Sequence, residues 1–205
     1  MKIRTDSKSI AILAIFAAMV IALEILPIPF LTDIPLFGGF TLDPTGIPIV
    51  IVFLALGIFY SLLLIPIMWV SIAYRNLIGS IFKGFAEFFT LLGLIVGKLV
   101  LRNRSYDWKA SVPIYIALGV IFRAVGMYFS NIFLIQWLYG YPMDVAIGVS
   151  ATFVIPNILQ AFINIALGTM VFIIIPESLA MQAGLGKYGD EEHEIYEEIS
   201  VDELD

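Results

Sequence analysis

Apolar positions dominate this chain in long runs, and the few polar positions between them set its organisation. Charge-poor stretches fall at about 9–30, 44–74, 78–101, 111–138 and 146–175. A helix needs roughly 20 apolar residues to cross a bilayer, so four of the five runs read as single spans. The run at 44–74 is 31 residues without a charge, long for one span and short for two ordinary ones. Gly57, the polar pair Tyr60–Ser61 and Pro66 interrupt it.

The basic loops decide how to divide that run. Lys2, Arg4 and Lys8 place the N-terminus on the cytoplasmic side, and so do Lys98, Arg102, Arg104 and Lys109 for the loop "KLVLRNRSYDWK". An even number of spans must separate the two. The run therefore splits near Gly57 into a short second helix at about 44–57 and a third at about 59–76. The expected fold class is an all-α membrane protein: six transmembrane helices in one bundle, with cytoplasmic N- and C-termini. Residues 1–8 form a cytoplasmic N-terminus, 9–176 the transmembrane domain and 177–205 an acidic cytoplasmic tail. The opening "MKIRTDSKSIAILAIFAAMVIALEI" has a basic start and an apolar run, as a signal peptide does. Glu24 and "PIPF" follow in place of a small-residue cleavage site, so it is read as a retained first span.

Composition agrees and narrows the function classes. Of 205 residues, 60% are hydrophobic and 14% charged, more apolar surface than a soluble domain of this size can hide. The formal charge of −6 comes from the tail: residues 190–205 hold nine of the seventeen acidic residues. No basic face supports nucleic-acid binding. Cysteine is absent, and the single histidine, His193, lies in the acidic tail, so thiolate and paired-histidine metal sites are not expected. No P-loop, H-E-x-x-H or G-x-S-x-G motif occurs. No cofactor is expected, and an active transporter built on this chain needs an outside source of energy.

The chemistry must then lie in polar residues at membrane depth, which are costly and usually face protein or a wet cavity. Glu24 falls in the outer half of the first helix, Glu87 about 12 Å into the fourth and Asn131 in the outer third of the fifth. Asn157, Gln160 and Asn164 follow i, i+3, i+7 spacing, which puts them on one face of the sixth. Arg75 and Lys83 fall on the outer side against the charge rule, with Asn76 beside them. Glu87, one turn after Lys83, either pairs with it or points into a pocket. Arg123, deep in the fifth helix, turns inward or pairs with another polar group. Trp69, Tyr74, Phe85, Phe88, Phe89, Tyr128, Trp137, Tyr139 and Tyr141 accompany these groups as ligand platforms or interface anchors. Ala14, Ala18 and Ala22 form a smooth ridge on the first helix, and Gly93 and Gly97 a G-x-x-x-G on the fourth.

Four stretches resemble the substrate-binding S components of energy-coupling-factor (ECF) vitamin transporters, most closely the riboflavin-binding members. "AIFAAMVIALEILPIPF" is similar to their first helix, with its alanine ridge and proline-rich exit. "LDPTGIPIVIVFLALG" is similar to the short second helix. "YRNLIGSIFKGFAEFFTLLG" resembles the start of the fourth, and "RAVGMYFSNIFLIQWLYG" with "VIPNILQAF" the fifth and sixth. The resemblance covers about residues 9–176. It implies a multi-pass protein of the cell membrane that captures a vitamin from outside. A separate transmembrane coupling protein and two ATPase subunits would supply energy, and this chain would be no enzyme. It also implies that Ala14, Ala18 and Ala22 face the coupling protein and that Asn131 and Asn157 contact ligand.

The expected substrate-binding set is Glu24, Arg75, Asn76, Lys83, Glu87, Asn131, Asn157 and Gln160. Glu87 stands where riboflavin binders typically have asparagine, and Gln160 where they often have lysine. Thiamine, folate or a queuosine precursor are therefore alternative ligands. A small integral membrane enzyme is the rival class, with Glu24 and Glu87 as its candidate acid–base pair.

Overall fold

In the computed structural model, residues 7–26, 34–36, 40–101 and 108–176 are described, the last segment by backbone alone at 108–110. Seven helices appear among them. They are α1 (Ser7–Ile25), α2 (Gly46–Leu56), α3 (Ile58–Ala73), α4 (Leu77–Leu101), α5 (Trp108–Tyr139), α6 (Met143–Thr152) and α7 (Val154–Ile174). Ile34–Pro35 and Thr41–Leu42 form a two-stranded antiparallel ribbon ahead of α2, with Ile34 opposite Leu42. This pairing leaves no periodic signal in the sequence.

Four helical segments are long and apolar enough to cross a membrane: Ser7–Ile25, Leu77–Leu101, Ser111–Tyr139 and Met143–Ile174. The last comprises α6 and α7 together, where one helix was expected. The break at Phe153 has a local cause. Pro156 has no N–H to donate, and its ring crowds the carbonyl of Thr152, which disfavours a continuous helix at this point. The run at 44–74 divides as expected at Gly57, whose φ of 91° suits glycine. The resulting α2 and α3 measure about 16 and 24 Å, each short of the ~30 Å hydrocarbon layer. The terminal stretches 1–6 and 177–205 lie outside the described residues, and with them the acidic tail.

α2 is apolar on every side because it is packed on every side: nine of its residues, Gly46 and Pro48–Ala55, are buried. Around it, Phe53 and Leu54 meet Leu91 and Leu94 of α4, Tyr115 of α5 and Ile165 and Phe172 of α7. On its other side Ile49 and Val52 meet Val20 of α1 and Leu64, Met68 and Ile72 of α3. The G-x-x-x-G of α4 packs against α5. A Cβ at Gly93 would collide with the Leu118 carbonyl and lie 2.6 Å from the Gly119 Cα, while one at Gly97 would press on the Tyr115 ring at 2.9 Å. The helix backbones meet because neither carries a side chain there. By contrast, Ala14, Ala18 and Ala22 lie exposed on α1.

Candidate functional site

Two groups of charged residues gather where the helices of this bundle meet, with Arg75 at the exposed edge of the first. The first gathers where α1 ends, α4 begins and the chain enters α2. Glu24 is buried at the end of α1 and takes an ion pair from Lys83 of α4. Arg75, in the turn between α3 and α4, reaches the other oxygen of Glu24 at 3.4 Å. Lys83 also pairs with Asp43 at 2.8 Å and donates to the Thr45 hydroxyl at 3.1 Å. Burial pushes the Asp43 carboxyl up in pKa. The adjacent Lys83 ammonium outweighs that, helped by hydrogen bonds from Lys83 and Thr45, and holds it below the ordinary carboxylate value.

Asp43 is fixed from the opposite side as well. Its N–H donates to Oε1 of Gln160 at 3.1 Å, and its carbonyl accepts from Nε2 of the same amide. An amide can do both at once, because it carries a donor and an acceptor side by side. Gln160 on α7 thereby holds the segment that leads into α2.

The second group lies deeper. Arg123 of α5 is 3% exposed and Glu87 of α4 is 2% exposed. Their ion pair is 2.6 Å long. The same guanidinium nitrogen donates to the Thr90 hydroxyl at 3.1 Å, and Nε donates to Oδ1 of Asn157 on α7 at 3.1 Å. Asn157 in turn donates to the Phe153 carbonyl, which also accepts from the Asn157 backbone N–H. One arginine therefore ties α4, α5 and α7 together. The expectation that Arg123 pairs with another polar group is met by Glu87. The alternative pairing of Glu87 with Lys83 is not the one formed, because Lys83 turns to Glu24 and Asp43.

The structure brings most of the expected residues together and sets others apart. Glu24, Arg75, Lys83, Glu87, Asn157 and Gln160 belong to the two groups. Asn76 is exposed and caps α4, its side-chain oxygen accepting from the Gly79 N–H at 2.8 Å. Asn131 is 3% exposed on α5, about 12 Å from Arg123 along the helix, and its Oδ1 has no partner among the described residues. Asp43, Thr45 and Thr90 were not foreseen. Asp43 sits among prolines in a connecting segment and carries no periodic signal, and the two threonines have hydroxyls that match any buried helix position.

Of the nine aromatic residues named above as platforms or anchors, Phe89 and Tyr128 are half-buried, with Tyr128 packed against Ile132 and Ile135, and seven face outward. Trp69, Tyr74, Phe85, Phe88, Trp137, Tyr139 and Tyr141 are exposed. Trp69, Phe85 and Phe88 line an apolar groove of about 270 Å³ between α3 and α4 with Ile65, Pro66, Ile81 and Gly84. The physical reason is a division of labour: buried charges require one another, whereas aromatic faces lose nothing by facing lipid. Among the described residues there is no cluster of acidic or histidine side chains arranged to hold a metal ion.

No family profile matches this chain, and no curated protein matches it. A solved structure does: the S-component for biotin from an ECF-type ABC transporter. The match covers 88% of this chain and 98% of that one, with a TM-score of 0.53 and 17% sequence identity. At that identity the likeness is one of architecture, and the described helices of this chain have the fold of an ECF-type S-component.

Proposed function

We propose that this chain is the substrate-capture (S) subunit of an ECF-type ABC transporter, taking riboflavin or a related small vitamin from the outside for uptake driven by partner ATPases. One observation carries the reading. Charged and amide groups from α1, α4, α5 and α7 converge on one interior region of an S-component fold, where lipid would reject them apart. The substrate-binding residues on this reading are Glu24, Arg75, Asn76, Lys83, Glu87, Asn131, Asn157 and Gln160. Six membrane-crossing segments, with α6 and α7 counted as one, would leave both termini in the cytoplasm. The exposed Ala14, Ala18 and Ala22 would meet the coupling protein, a smooth surface suited to close helix packing.

Biotin is the second candidate ligand, because the matched structure is that of a biotin S-component. Thiamine, folate and a queuosine precursor are further alternatives within the same class. The enzyme reading draws no support from the site. Glu24 and Glu87 face different cations in different groups, so they do not form an acid–base pair. Calorimetric titration of the purified protein with riboflavin, biotin, thiamine, folate and a queuosine precursor tests the proposal. Saturable binding that weakens in Glu87→Gln and Asn157→Leu supports it, and heat signals no different from buffer for all five compounds refute it.

A further inference from the structure

On the face of α7 that carries Asn157 and Gln160, the third amide is different. Asn157 is held by Arg123 and Gln160 by the backbone of Asp43. Asn164 is 0% exposed, yet neither Nδ2 nor Oδ1 has a hydrogen-bond partner among the described residues. A buried amide left this way destabilises the fold, and leucine of nearly the same shape would remove the problem.

A glycine lets α2 come up against this amide. A Cβ on Gly46, the first residue of α2, would overlap Nδ2 of Asn164 and lie 2.7 Å from its Cγ and 2.9 Å from Oε2 of Glu87. Gly46 needs no unusual φ, so what the position demands is the missing side chain. Nearby charges are already matched. Arg75 and Lys83 face Glu24 and Asp43, and Arg123 faces Glu87, three cations against three carboxylates. Among the described residues this region therefore offers no unmatched charge, only a free donor and a free acceptor on one planar group.

Resting on the capture reading, we infer that Asn164 is a ligand-binding residue, and that the deep end of the ligand is an uncharged lactam, imide or ureide edge. Such an edge places an N–H beside a C=O and pairs with both atoms of a primary amide at once. Ligands whose buried end is cationic are disfavoured, since among the described residues no carboxylate here is left to meet the charge. Asn164 is thereby retained at a cost to the empty protein and a gain to the complex.

The test uses Asn164→Leu in the full-length protein, purified in detergent, with riboflavin and biotin as probes carrying such an edge and thiamine as a cation without one. Two quantities are read: the unfolding midpoint without ligand, and affinity by calorimetry. The inference expects the variant to unfold at the same temperature as wild type or higher. It also expects wild type to bind riboflavin or biotin, and the variant to bind that probe about 10- to 100-fold more weakly. A variant that is destabilised yet keeps its affinity shows a structural amide and overturns the inference alone. Binding of thiamine in preference to both other probes does the same. If wild type binds none of the three, the inference is overturned, and the capture reading falls with it when folate and a queuosine precursor are not bound either.

Discussion

Replacing Arg123 by methionine is the sharpest perturbation of the interior. Methionine keeps much of the arginine stem but removes the charge. It leaves the carboxylate of Glu87, whose side chain is 2% exposed, without its cation, and takes donors from Thr90 and Asn157. Breaking a buried pair from one side costs about 3–5 kcal/mol. For a chain of this length each kcal/mol moves the unfolding temperature about 2–4 °C, so a fall of about 6–20 °C is expected. Thermal unfolding of detergent-solubilised protein, followed by tryptophan fluorescence, reads it. A double-mutant cycle isolates the pair. Glu87→Leu alone strands the guanidinium, and the double variant strands neither group, so it should be more stable than the sum of the two losses predicts, by about 1–3 kcal/mol. Losses that simply add, or an Arg123→Met variant within about 1 kcal/mol of wild type, would show that the pair is not organising the bundle.

Other consequences follow from separate parts of the structure. Gly93→Val should push α4 from the Leu118 carbonyl and destabilise the protein by about 1–3 kcal/mol, measured by the same unfolding assay. Ala14→Trp with Ala18→Trp lies on an exposed face, so it should leave unfolding within about 0.5 kcal/mol per site but abolish co-purification with the coupling protein. Asp43 has a depressed folded-state pKa, so its contribution is fully present above its unfolded value of about 3.9 and is lost as pH falls through the lower folded value. Stability measured from pH 7 to pH 3 should therefore show a loss on the acid side, below about pH 4, that is smaller in Asp43→Asn.

How much of this was legible beforehand depends on which force set each feature. The division at Gly57 could be read because a charge-free run of that length conflicts with loop charge. The break at Phe153 was missed although Pro156 signals it, because an apolar run on both sides masks a local backbone constraint. Residues with a depth problem were also visible: Glu24, Glu87, Asn157 and Gln160 are polar where lipid or core is expected. Their partners were not, since Arg123 to Glu87 spans two helices and no spacing rule connects them. Asp43 and Thr45 were invisible for the same reason, as their role depends on how the segment before α2 folds back onto α7. The aromatic residues stayed ambiguous between anchor and ligand platform, because a ring at a helix end looks the same whether it faces ligand or lipid.

The central claim is that the interior polar groups exist to hold a small molecule. Native mass spectrometry of the protein released from detergent, before and after incubation with riboflavin and with biotin, tests it most directly. The account predicts one adduct of vitamin mass per chain, lost in a variant combining Glu87→Gln and Asn157→Leu. A spectrum of ligand-free protein alone under every condition, or an adduct that the double variant retains in full, would contradict it.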